Sequence, residues 1–123
     1  MKAKPKRSKV IKDCDILWSK VVRQRDGNEC VIEGCHADSC HAHHIFSRKN
    51  ISVRWDVKNG ISLCYRHHFH WAHRDYEQFR DFCISWMGPY EFAKLKDKAN
   101  LIQSWKTDEL VEIKNQLKRM VDK

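Results

Sequence analysis

The chain has 123 residues, a formal net charge of +8 and a hydrophobic content of 41%. This length suits one small domain, and no apolar run approaches the length that a bilayer requires, so we expect a cytoplasmic protein that is neither exported nor membrane-bound. Six cysteines stand beside clustered histidines, which favours metal binding in a reducing compartment over a disulfide framework.

The positive charge is concentrated in two segments. Residues 1–12 carry six Lys and Arg and no acid, which predicts a basic disordered arm, with phosphate contacts as the alternative. Residues 42–74 carry six Lys and Arg against one Asp. Because this second segment also holds most of the histidines, its charge indicates an anionic partner such as nucleic acid. A single domain is predicted over residues 13–123.

The first half of the chain predicts one helix and two strands. Apolar residues at helical spacing indicate a helix that ends before Gly27, and the polar, cysteine-bearing residues 28–40 are typical of a zinc knuckle. Residues 40–46 and 60–64 predict strands, and residues 51–55 could add a short one. The helical spacing rests on Ile16, Leu17, Val21 and Val22.

The second half predicts helices. The period changes near His67, and Asp75 with Gln78 matches a capping box for a helix that runs to about Met87. Two more helices are expected over residues 90–105 and 109–121, the last one capped at Thr107. Their apolar faces serve core packing or a partner helix, and a homodimer through them is one option. The predicted class is α+β, with a core over about 28–88 and a C-terminal helical extension over 90–121.

Two short-spaced pairs of ligand residues indicate a structural zinc site. Cys30 and Cys35 form a C-x4-C pair, and Cys64 and His67 form a C-x2-H pair that follows a strand. Tetrahedral zinc is usually held by two such pairs, since each pair binds the metal from one turn. The spacing leaves Cys40 open as a competing ligand.

The histidines carry a second pattern. All eight lie between positions 36 and 73, where "CHAHHIF" is followed by a loop, by Asn59 and by "LCYRHH" at the start of a helix. From about Asp15 to Trp105 the sequence resembles the HNH endonucleases, and "IFSRKN…VRWDVKNGISLCYRHH" is similar to phage-type members. This resemblance implies a ββα-metal core and metal-dependent hydrolysis of DNA to a 5′-phosphate and a 3′-hydroxyl.

The resemblance also assigns residues. It implies that His44 is the general base, that His43 and His68 bind a catalytic divalent cation, and that Asn59 holds the loop or orients the base. Many relatives carry a further ligand where this chain has Ala72, so His73 is a possible third ligand. The cation would be Mg²⁺ or Mn²⁺, with Zn²⁺ or Ni²⁺ as alternatives. Beside such a motif, backbone-phosphate contacts are expected from basic residues: Arg48, Lys49 and Arg54.

Successive residues of a regular strand point to opposite faces. His43 and His44 can therefore serve one site only if the strand ends, twists or bulges there, or if the phosphate lies between them, and we expect a distortion at this point. A non-catalytic, zinc-stabilised nucleic-acid-binding module is the alternative function. It would have no need for a base beside the metal ligands. A secreted, disulfide-bonded nuclease is a third and weaker possibility. Expected partners are DNA and, if a phage encodes the chain, recombination or packaging proteins in the bacterial host cytoplasm.

Overall fold

The computed structural model describes residues 4–35, 37, 40–72 and 74–121. It confirms the α+β class, with a two-stranded antiparallel sheet among helices. Within the described ranges, none of the helices is long and apolar enough to span a membrane. The elements are α1 (Arg7–Arg25), β1 (Cys40–His44), β2 (Gly60–Cys64), α2 (Tyr65–His67, continued by a π-helical turn, His68–Ala72), α3 (Tyr76–Met87), α4 (Pro89–Ala99) and α5 (Thr107–Val121).

Helix α1 begins earlier than the sequence indicated. The predicted boundary at residue 12 lies inside it, because its buried residues recur every fourth position and the first of them falls in the basic segment. Ile16, on which the prediction relied, is 48% exposed. The stripe that α1 buries consists of Val10, Cys14, Trp18 and Val22.

The two strands form a ribbon with regular pairing from Cys40 opposite Cys64 to His44 opposite Gly60. One face of the ribbon lies against α1. An added Cβ at Gly60 would lie 2.5 Å from a methyl group of Val22 and 2.7 Å from the Trp18 ring. Glycine is therefore required for this close approach between helix and strand.

Two hydrophobic clusters lie on either side of the ribbon. Ile61 and Leu63 of β2 are fully buried in the cluster that α3 and α4 complete with Phe79, Cys83, Phe92 and Leu95. The other cluster joins α1 to α5, whose Leu110 and Leu117 are buried against the α1 stripe. The apolar faces of the C-terminal helices thus pack within the chain.

Further predicted elements differ from the structure, and the first strand ends at His44 instead of residue 46. The helix expected from His67 onward is divided, and α3 begins after Asp75, whose carboxylate accepts a hydrogen bond from the backbone N–H of Gln78, as the capping pattern predicted. Helix α4 ends at Ala99 and not at the predicted residue 105. Trp105 lies in a loop and donates its indole N–H to the carbonyl of Ile51. Residues 51–55 form turns and no strand.

Candidate zinc site and histidine cleft

The four predicted zinc ligands lie together. Their ligand atoms are all within 4.8 Å of one another, and the Sγ atoms of Cys35 and Cys64 are 3.7 Å apart. Nδ1 of His67 lies 3.4 Å from the Cys30 sulfur and 3.2 Å from the Cys64 sulfur. Tetrahedral zinc bonds place sulfur atoms roughly 3.8 Å apart and a sulfur and a nitrogen roughly 3.6 Å apart. The donor set and its spacing therefore fit a structural zinc ion.

Cys40 stays outside this group. Its thiol donates to the carbonyl of Ala37 at 3.1 Å. Within the part of the chain that the structure describes, the only such cluster of His, Cys and acidic side chains is the one formed by Cys30, Cys35, Cys64 and His67. The sequence left Cys40 open as a ligand, and the geometry favours the other three thiols.

The pKa shifts of the clustered side chains differ from one ligand to the next. Burial raises the pKa of the Cys30 thiol to about 12. Burial acts the same way on Cys64, but hydrogen bonds from the backbone amides of His67 and Arg66 and from the neighbouring thiols outweigh it and lower its pKa. Burial lowers the pKa of His67, and the charge of Arg66 adds to this effect. Zinc binds a thiolate and a neutral imidazole, so the shifts at Cys64 and His67 favour metal binding, whereas the shift at Cys30 opposes it in the absence of the metal.

His43 and His44 lie at the end of β1 and point to opposite faces of the ribbon. The His43 ring lies 4.8 Å from that of His68 and 5.1 Å from that of Phe79, whereas His44 stacks on Trp18 at 3.9 Å. Both histidines nevertheless line one cleft of about 610 Å³. The rest of its lining is formed by Ala42, Ile45, Phe46, Ser47, Arg48, Asn50, His68 and Tyr76.

The expected distortion is not found in the strand pairing. The register is regular up to His44, and the strand ends at this residue. Two successive histidines can therefore reach one cleft from opposite faces, because the ribbon ends at His44 and the loop begins directly after it. The exposed His41 shares the face of His43, with its ring 5.6 Å from that of His68.

The hydrogen bond of His44 fixes its tautomer. Nε2 lies 2.9 Å from the carbonyl oxygen of Arg54. A carbonyl can only accept, so Nε2 carries the proton and Nδ1 keeps a lone pair. Burial lowers the pKa of His44, against the opposing effect of that hydrogen bond. The ring is therefore neutral at pH 7, with one nitrogen able to accept a proton.

Asn59 holds the loop that joins the two strands. It is fully buried, and its side-chain oxygen accepts from the backbone N–H of Phe46 at 2.7 Å. Its Nδ2 donates to the carbonyls of Phe46 at 2.9 Å and Val53 at 3.1 Å. The start and the middle of the loop are thereby tied to one side chain near its end.

The predicted phosphate-contacting residues fall into two groups. Arg48 and Lys49 are exposed, and Arg48 lines the cleft. The Arg54 side chain is only 14% exposed, and its guanidinium donates twice to the carboxylate of Asp15, at 3.1 and 2.8 Å. Arg48 thus lines the cleft, whereas Arg54 binds Asp15 of α1.

Two residues that contact this site were not predicted from the sequence. Trp18 lies under His44, and Asp15 binds both Arg54 and the indole N–H of Trp55. Their only signal is a spacing of three residues on one helix, which places them on the same face but does not reveal what they meet. His73, the possible third ligand, lies outside the described residues.

Comparisons with known proteins add no relative to this picture. No protein-family model matches the sequence, and neither a curated protein nor a solved structure matches the chain.

Proposed function

We propose that the chain is a metal-dependent DNA endonuclease of the HNH type. The observation that carries this proposal is the convergence of His43 and His44 with His68 on one cleft beside Arg48. Two of these imidazoles come from the end of β1 and the third from the helical turn that follows β2. They exceed what a structural zinc site requires, since that site has its own four ligands. The proposed reaction is hydrolysis of a phosphodiester bond to a 5′-phosphate and a 3′-hydroxyl.

His44 is the general base in this proposal. Its neutral ring keeps the Nδ1 lone pair, which takes a proton from water as the water oxygen attacks phosphorus. The bond between phosphorus and the 3′ oxygen then breaks, and the departing oxygen is protonated from solvent. The stack on Trp18 and the hydrogen bond to the Arg54 carbonyl hold the ring during this transfer.

His43 and His68 are the residues that would hold a catalytic cation. Their ring centres are 4.8 Å apart. Two imidazoles that bind one metal through nitrogens about 2.1 Å from it have ring centres roughly 5 Å apart, so the pair fits. A divalent cation held by these residues would stabilise the negative charge of the phosphorane and of the leaving oxygen.

Arg48 is the residue best placed to contact the scissile phosphate, because it is exposed and lines the cleft.

The candidate zinc site supports the position of His68. Cys64 ends β2 and His67 immediately precedes His68, so a zinc ion at this point would fix the helical turn that presents His68 to β1.

The test is a nicking assay on supercoiled plasmid with Mg²⁺, Mn²⁺, Ni²⁺ or Zn²⁺. We expect open circles that DNA ligase seals directly, because a nick with a 5′-phosphate and a 3′-hydroxyl is a ligase substrate. Nicks that ligase cannot seal would contradict the proposed chemistry. Plasmid that is bound but never cut, with every metal, would reject the enzyme and favour the zinc-stabilised binding module.

A further inference from the structure

Helix α1 contacts the proposed base directly. The indole of Trp18 and the imidazole of His44 stack with their centres 3.9 Å apart and their planes within 7°. Trp18 is 2% exposed, and its indole N–H donates to the carbonyl of Asp56 at 2.8 Å. A buried ring that is held at its own N–H offers a rigid surface, so it restricts the plane of the imidazole that lies on it.

Helix α1 also holds the partner of the His44 hydrogen bond. The Asp15 carboxylate accepts from Nε and Nη2 of Arg54, at 3.1 and 2.8 Å, and from the indole N–H of Trp55 at 2.8 Å. A paired arrangement of this kind is both stronger and geometrically more specific than a single neutral hydrogen bond. Asp15 therefore fixes the residue whose carbonyl oxygen receives Nε2–H of His44.

We propose that Asp15 and Trp18 are positioning residues that set the tautomer and the ring plane of His44. This inference rests on the proposed function for its catalytic consequence, but the ring geometry itself can be measured without catalysis. The two constraints are separate: the stack on Trp18 defines the plane, and the Arg54 carbonyl decides which nitrogen carries the proton. A neutral imidazole released from either constraint populates orientations or a tautomer in which Nδ1 no longer presents a lone pair to water.

Four variants separate positioning from folding. Trp18→Leu removes the stack and keeps an apolar side chain, whereas Trp18→Phe keeps an aromatic face. Asp15→Asn replaces one acceptor oxygen by an NH₂ group that cannot accept from Arg54. The matched control is Asp13→Asn on the same helix, since Asp13 binds Lys9 and Lys114 and not the loop.

Two readouts are needed. The nicking rate at saturating DNA is expected to fall about 10- to 100-fold in Trp18→Leu and Asp15→Asn, with the half-saturating DNA concentration unchanged. Trp18→Phe should recover most of the rate, and Asp13→Asn should match the unsubstituted protein. Two-bond ¹H–¹⁵N correlation spectra should show His44 as a single Nε2–H tautomer, and this state should be lost in Trp18→Leu and Asp15→Asn. The His44 signal is assigned by its absence from the His44→Gln spectrum.

The inference is overturned if folded Trp18→Leu and Asp15→Asn proteins keep both the rate and the tautomer of the unsubstituted protein. If Trp18→Leu does not fold, Asp15→Asn decides the result by the same criteria. Absence of cleavage by the unsubstituted protein rejects the proposed function instead. The tautomer signals then decide the positioning alone: loss of the Nε2–H state in Asp15→Asn supports it, and retention overturns it.

Discussion

Cys40 and Cys64 are opposite each other at one end of the ribbon, yet only Cys64 belongs to the candidate zinc group. The difference lies in the neighbours. Cys64 lies three residues before His67 and within 3.7 Å of the Cys35 sulfur, whereas the Cys40 thiol donates to the Ala37 carbonyl. Two thiols of the same strand pair therefore have separate roles, which substitution can distinguish.

Cys64→Ser should lose zinc and unfold, while Cys40→Ser should keep one zinc per chain. The binding energy of a structural zinc is part of the folding energy, and a serine hydroxyl is a poor ligand. At position 40, serine can make the same hydrogen bond to the Ala37 carbonyl that the thiol makes. Metal analysis by mass spectrometry and thermal melting check both variants. Zinc loss in Cys40→Ser with retention in Cys64→Ser would reverse the assignment.

Residue spacing predicted the candidate zinc ligands because both pairs are local. Cys30 with Cys35 and Cys64 with His67 are each separated by a single turn, so the local chain sets the distance within each pair. Arg54 shows the opposite case. A basic residue near the histidines suggested a phosphate contact, but the guanidinium binds Asp15, which is 39 residues away in sequence. No local pattern identifies a partner at such a separation.

Among the elements, the pair α1 and α5 shows how charge and apolar packing combine. Asp13 of α1 binds Lys114 of α5 and Lys9 of its own helix, each at 3.0 Å. These hydrogen bonds, with that from Lys114 the stronger, lower the pKa of the Asp13 carboxyl. The ion pair between Asp13 and Lys114 lies beside a buried contact between the same two helices, in which the Cys14 thiol donates to the carbonyl of Leu110.

Asp13→Asn should therefore lower the stability in a pH-dependent way. A carboxyl whose pKa is lowered on folding stabilises the fold above its unfolded pKa of about 3.9, and this contribution is lost as the pH falls through the lower, folded value. The melting temperature of Asp13→Asn should lie below that of the unsubstituted protein at pH 7, and the gap should close as the pH falls below the unfolded pKa of about 3.9.

Glu112→Gln is the matched control for this experiment. Its exposed pair with Arg119, at 3.5 Å, should contribute little at any pH. A gap for Asp13→Asn that stays constant from pH 7 to pH 2.5 would show that the carboxylate charge is not the cause.

The start of α1 could not be predicted, because its first turns consist mainly of lysine and arginine. Their only buried residue is Val10, and one apolar position does not establish a helical period. Helix α3 was predictable, since its capping aspartate and its apolar spacing agree. The strand boundaries at 60–64 followed from a short apolar run that is buried throughout. Elements whose local signals agree were found, and those that depend on a distant partner were not.

On the scale of the whole molecule, the exposed cleft is where the histidines and the exposed basic residue Arg48 coincide. The charge predicted this coincidence, and the resemblance implied one site for His43, His44 and His68. Spacing alone could not show that the end of one strand and one helical turn meet there. That meeting depends on the ribbon register and on the packing of His43 against Phe79. Long-range pairing of this kind is absent from any local pattern.

Arg48→Ala should reduce the salt dependence of DNA binding. Loss of one phosphate contact lowers the magnitude of the slope of log affinity against log salt concentration by about 0.9 for duplex DNA. The measurement uses fluorescence anisotropy in a His44→Gln background, so that the DNA stays intact. Arg119→Ala is the control, because this arginine lies on α5 and pairs with Glu112. An unchanged slope for Arg48→Ala would remove Arg48 from the proposed DNA contact.

The most direct test of the proposed function is plasmid nicking by His44→Gln beside the unsubstituted protein at equal zinc content. Glutamine can donate to the Arg54 carbonyl as His44 does, but it has no nitrogen that accepts a proton at neutral pH. We predict a rate at least about 100-fold lower, within the range that general base catalysis contributes, with zinc content and melting temperature retained. Cleavage by His44→Gln at the rate of the unsubstituted protein would contradict the account.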